Sequence, residues 1–192
     1  MGTGGVVRAG RLRVLDAAIL EVFPHTALFI PSRYEAVILA SSDPLSFDLQ
    51  RWGERWSRPE LRAALAEVGF DSPEALLGTF VAGPEALRAW AGGAAPVTDD
   101  LPAVEYFLSR PPEAFSLDAL LAHGSEPAPL LRGPHDPAAL AAQRRAAVAL
   151  LRTNQAVRRG ELERARTFAA EAEALGGANA YTVQFATSNN TA

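Results

Sequence analysis

The apolar positions along the chain change their period several times. Over residues 10–22, GRLRVLDAAILEV, the residues Leu12, Leu15, Ile19 and Val22 recur at spacings of three and four, which predicts an amphipathic helix. Pro24 biases the residue before it away from helical geometry, so the helix is expected to end at or before Phe23. TALFIP and EAVILASS are then apolar at nearly every position, with SRY as a turn between them. The short connector predicts an antiparallel hairpin. The lack of alternation predicts that at least one of the two strands is covered on both faces.

Residues 43–91 read as short helices with marked starts. Ser57-Arg58-Pro59-Glu60 has the form of a capping box, with Ser57 accepting from the backbone near Glu60 and Glu60 reaching back. Ser72-Pro73-Glu74 repeats the device, Pro84 after Gly83 opens a third helix, and Gly92 and Gly93 close it. Trp52, Trp56 and Trp90 fall on these helices, where core packing is the expected role of each. Residues 111–137 are rich in proline and glycine and predict a linker holding one short helix over 116–122, with a domain boundary inside it. Residues 138–175 predict two helices around Gly160, the second placing Leu162, Ala165, Ala169, Ala172 and Leu175 on one face. The final NAYTVQFATSNNTA has no period and is expected to fray. The expected organisation is therefore 1–110, a linker over 111–137, and 138–192.

Composition narrows the chemistry. The chain has 192 residues, 48% of them hydrophobic and 21% charged, with a net charge of −4, which is globular and mildly acidic. Residues 1–110 carry 14 acids and 10 bases, against 8 of each in 111–192. An acidic front half argues against a phosphate-binding face, so no nucleic-acid partner is expected. Every one of the 18 basic residues is arginine, which excludes lysine-based Schiff-base or P-loop chemistry. With no cysteine there is no disulfide, thiolate nucleophile or thiolate-held metal. No stretch approaches 18 uninterrupted apolar residues, and the N-terminus lacks both the apolar core of a signal peptide and the myristoylation pattern. A cytoplasmic chain without a membrane span is expected.

The usual catalytic constellations are absent. The glycines at 2, 4 and 5 do not make a dinucleotide fingerprint, because no strand precedes them and the third is misplaced. His25, His123 and His135 are scattered, without metal-ligand spacing. No G-x-S-x-G elbow occurs, and Ser125 lies in the proline-rich stretch.

Three stretches in order, VFPHTALFI, EAVILASSDPLSFDL and VTDDLPAVEYFLSR, resemble the C-terminal part of bacterial spermidine synthase-like proteins, the polyamine aminopropyltransferases. The resemblance covers roughly residues 10–110 and rests best on Phe23-Pro24-His25 and on Thr98-Asp99-Asp100 with Pro102, Glu105 and Tyr106. It implies an α/β fold: the end of a class I S-adenosylmethionine-dependent methyltransferase-like sheet, with helix 10–22 as the last covering helix and the two apolar runs as the final antiparallel strands. It also implies transfer of an aminopropyl group from decarboxylated S-adenosylmethionine to putrescine. The family's glycine-rich nucleoside loop and catalytic aspartate lie ahead of the matching region. This chain is thus expected to carry no catalytic residue, to bind no cofactor alone, and to be inactive unless an upstream polypeptide or a second copy completes the sheet. A second resemblance, over 143–175, is to a single tetratricopeptide repeat, with Ala156, Gly160, Leu162, Glu163, Ala165, Ala172 and Leu175 in the matching places. A plain helical hairpin accounts for the same residues.

The acidic stretch PVTDDLPAVEY admits two readings. Thr98, Asp99 and Asp100 are good caps and turn formers, with Pro102 suited to a first helical turn. Alternatively, Asp99, Asp100 and Glu105 supply three carboxylates for a di-cationic amine, with Tyr106 and Trp90 as aromatic faces. The corresponding functions are a partial aminopropyltransferase or a non-enzymatic interaction module that uses the hairpin and the C-terminal helices.

Overall fold

The computed structural model of the chain describes residues 9–32, 35–92, 94 and 117–176. The fold is mixed α/β. Eight helices and five short strands occur among the described residues: α1 (Ala9–Val22), β1 (His25–Phe29), β2 (Val37–Ser41), β3 (Phe47–Asp48), α2 (Leu49–Trp56), α3 (Pro59–Glu67), α4 (Pro73–Gly78), β4 (Phe80–Ala82), α5 (Pro84–Ala91), α6 (Leu117–Ala122), β5 (Leu131–Arg132), α7 (Pro137–Arg158) and α8 (Leu162–Ala174). They form two compact units, one of residues 1–45 and 81–127, the other of residues 46–80 and 128–192. The division differs from the expected linear one. Residues 46–80 group with the C-terminal helices, and the chain crosses back at 127, inside the stretch expected as a linker.

The first unit is built on β1. Its hairpin with β2 is antiparallel, in the register His25 opposite Ser41 through Phe29 opposite Val37. β4 lies on the other side of β1, so the sheet order is β2-β1-β4 and the expected two-stranded hairpin is a three-stranded sheet. Four of the five β1 residues are buried, whereas β2 is only half covered, so the expectation of two covered faces holds for the inner strand alone. The core joins Leu28 of β1, Val81 and Ala82 of β4, Leu87 and Trp90 of α5, and Leu120 of α6, with Leu20 and Ile38 packed against them. Ser125 closes one corner: its hydroxyl accepts from the Gly83 N–H at 2.9 Å, while its own N–H donates to the Val81 carbonyl at 3.0 Å. The 117–127 portion of the expected linker is therefore core-bearing, because Leu117 and Leu120 are buried there.

Helix α1 ends at Val22, as Pro24 requires. Val22, expected on its packed stripe, is 67% exposed, whereas Asp16 is buried and Leu20, one turn on, packs on the core; the side chains of Leu12 and Leu15 lie outside the described residues.

In the second unit, β3 and β5 pair in parallel, Phe47 beside Leu131 and Asp48 beside Arg132. Asp48 also caps α2 by accepting from the Arg51 N–H at 3.0 Å. The expected capping box at Ser57 does not form. Ser57 is the C-cap of α2, and its hydroxyl donates to the Glu54 carbonyl at 2.7 Å, so it is engaged by the helix before it and α3 has no side-chain cap. Ser72 does cap α4, accepting from the Ala75 N–H at 3.1 Å. Ser72→Ala is accordingly expected to cost about 1 kcal/mol in urea unfolding. Ser57→Ala removes no N-cap and should cost less than half of that.

Helices α7 and α8 make the expected pair around Gly160, whose φ of 74° suits a residue without a Cβ. Asp136 starts α7 by accepting from the Ala138 and Ala139 N–H groups at 2.8 and 3.1 Å. Both helices bury alanine, Ala146, Ala149 and Ala156 in α7 and, on the face expected of α8, Ala165 and Ala172. Leu162, expected on that face, is exposed.

Candidate functional site

Of the five residues proposed for amine binding, Asp99, Asp100, Glu105 and Tyr106 lie outside the described residues. Trp90 is the fifth. It sits in the last turn of α5, ahead of the left-handed cap at Gly92 (φ 57°), and is 2% exposed. Its ring meets that of His123 edge-on, with centroids 5.9 Å apart and planes at 61°. The same helix ties down the corner between α1 and β1, where the Arg88 guanidinium donates to the Pro24 carbonyl at 3.1 Å. The packing role expected of the tryptophans holds for Trp90, which presents almost no ring surface to solvent.

Two further features of the first unit carry chemistry. The first is the outer edge of β2. Its residues Val37-Ile38-Leu39-Ala40-Ser41 contain no charge and no proline, the usual means of blocking a strand edge. Ile38 packs inward on the core, while Val37 and Leu39, on the opposite face, are 42% and 40% exposed. The second is Asp16, which is fully buried, with neither carboxylate oxygen in a hydrogen bond. Burial raises its carboxyl from 3.8 to about 7, because desolvation disfavours the charged form. Two other buried polar atoms without hydrogen-bond partners among the described residues, Trp56 Nε1 and Gln155 Nε2, belong to neutral groups and cost far less to leave unpaired.

Sequence reasoning missed Asp16. A signal was present: Leu12, Asp16 and Leu20 are spaced by four, so a helix that buries Leu20 turns Asp16 toward the same side.

Among the described residues, no group of three or more His, Asp or Glu side chains stands ready to hold a metal ion, and no helix is long and apolar enough to cross a membrane. Compared with protein-family models, with curated proteins and with solved structures, the chain matches none, so these residues are read on their own chemistry.

Proposed function

We propose that this chain is the C-terminal portion of a cytoplasmic spermidine synthase-like aminopropyltransferase, with a methyltransferase-like sheet completed across β2 by strands of a preceding polypeptide. The observation that supports the reading is the uncharged outer edge of β2, unpaired among the described residues, with Val37 and Leu39 exposed beside it. Such an edge offers a row of backbone donors and acceptors to another strand. The order α1, β1, β2, with β1 and β2 antiparallel, agrees with the last covering helix and final strands that the resemblance implies.

In the completed sheet, the nucleoside donor binds beyond the carboxyl ends of the preceding strands. The acceptor amine attacks the carbon beside the sulfonium, the carbon–sulfur bond breaks, and sulfur leaves as a neutral thioether. The proton lost by the amine goes to a carboxylate of the preceding polypeptide. This chain closes the sheet. Asp99, Asp100 and Glu105 are assigned to the ammonium groups of the amine and Tyr106 to its methylene chain, while Trp90 holds the end of α5 in the core just ahead of them.

Calorimetry tests the assignment. The chain is titrated with decarboxylated S-adenosylmethionine and with putrescine, alone and together with the polypeptide encoded immediately upstream. Binding heat in the presence of that polypeptide is expected, with none from the chain alone. Silence in both arms removes the enzyme reading. It leaves the second one, a non-enzymatic interaction module whose β2 edge takes a strand from a partner protein; the same exposed Val37 and Leu39 favour it.

A further inference from the structure

Helix α1 packs on α5 and on β1, and Asp16 lies in its middle, 0% exposed. A carboxylate that leaves water loses several kcal/mol of hydration unless a cation or several donors replace it. Here neither oxygen has a hydrogen-bond partner. Among the described side chains, the packed elements place no counter-charge in a hydrogen bond to it. Helix α5 carries Glu85 and Arg88, both exposed, and the Arg88 guanidinium is engaged at the Pro24 carbonyl. Strand β1 carries His25, half-buried. Helix α6, whose Leu120 shares the core with Leu20, carries the exposed Asp118 and is followed by the exposed His123. The other charged residues of α1 are Arg11, Arg13 and Glu21. None of the groups whose side chains are described hydrogen-bonds to Asp16; the side chains of Arg11 and Arg13 lie outside the described residues.

We propose that Asp16 is a pH-sensitive latch on α1: with its carboxyl protonated the helix stays packed on α5 and β1, and ionisation favours its release into water. The inference is independent of the aminopropyltransferase reading, since it uses only the interior of the first unit.

The direction follows from proton linkage. With α1 released, Asp16 is hydrated and ionises from its ordinary value near 3.8; packed, it keeps its proton to about 7. Between those values the packed state binds the extra proton. Its advantage is therefore full below pH 3.8, falls about tenfold per pH unit as pH rises, and levels off above 7.

The measurement is amide hydrogen exchange on the full chain, expressed as protection over the intrinsic rate, at pH 4.5, 6 and 7.5. Local opening of one helix is visible by this means even when the rest of the molecule stays closed. Protection of the α1 amides in the wild type is expected to fall about tenfold for each pH unit up to 7, and to be flat with pH in Asp16→Leu. Equal slopes in the two proteins, or no slope in the wild type, overturn the proposal. Carbon-13 titration of the Asp16 carboxyl in the wild-type chain decides the matter if the variant does not fold. A midpoint near neutrality supports the latch, and one near 4 overturns it.

Discussion

Trp90→Ala is expected to destabilise the first unit by about 3–5 kcal/mol, the range for truncating a buried aromatic side chain. The indole sits in the cluster with Leu28, Val81, Ala82, Leu87 and Leu120, so its removal leaves a void that those side chains fill only in part. Chains of this size are stable by about 5–15 kcal/mol, so the loss is a large fraction of the total. The urea midpoint measures it. The same variant separates two roles for the residue. A core residue costs stability in the absence of any ligand, whereas an aromatic platform for an amine costs binding heat with stability unchanged. A loss below about 1 kcal/mol would show that the indole does not fill the core.

Gly78→Val is the second large effect, expected at about 3 kcal/mol in the second unit. Gly78 is the last residue of α4, at the place where α4 abuts α7. A Cβ there would stand 2.8 Å from the Gln143 carbonyl carbon and 2.9 Å from its oxygen. Those atoms are backbone of a 22-residue helix, so they cannot turn aside as a side chain does; α4 has to move away from α7 instead. Gly53, in the interior of α2, is the contrasting case, because a Cβ added there meets nothing within 4 Å. Gly53→Ala should stabilise by about 0.5–1 kcal/mol through helix propensity alone. Thermal melting of both variants checks the pair. Similar effects of the two substitutions would mean that α4 and α7 do not approach as closely as 2.8 Å implies.

Much of the local structure was legible because it depends on short-range signals. Pro24 stopped α1, Ser72 and Pro73 started α4, Pro84 started α5 and Gly92 closed it, each by a constraint that acts within one turn of chain. The hairpin was legible from two apolar runs and a short connector. Ser57 shows the limit of the method. The residue pattern S-x-x-E is the same whether the serine faces the helix ahead or the one behind, and the hydroxyl is engaged by the Glu54 carbonyl. β4 was illegible for a different reason. Three residues, Phe80–Ala82, have too little length for a period, and they are a strand only because β1 lies beside them.

The candidate site divides in the same way. The acidic stretch around Asp99 and Asp100 could be named from residue types alone, and its assignment to an amine rests on resemblance and charge. Asp16 could not be found that way, since a single aspartate on an amphipathic helix is ordinarily turned to water. What makes it unusual is what surrounds it.

By itself the sequence determined the starts and stops of most helices, the antiparallel pairing of β1 with β2, and the absence of cysteine and lysine chemistry, because these follow from bonded geometry and residue identity. Only the tertiary structure decided that residues 46–80 join the C-terminal helices, that β2 has an edge unpaired among the described residues while β1 is buried, and that Asp16 is enclosed without a hydrogen-bond partner among them. Those outcomes depend on which surfaces meet across distant parts of the chain. Burial is a property of the neighbours, and it is burial that turns an ordinary carboxyl into one that holds its proton to about pH 7.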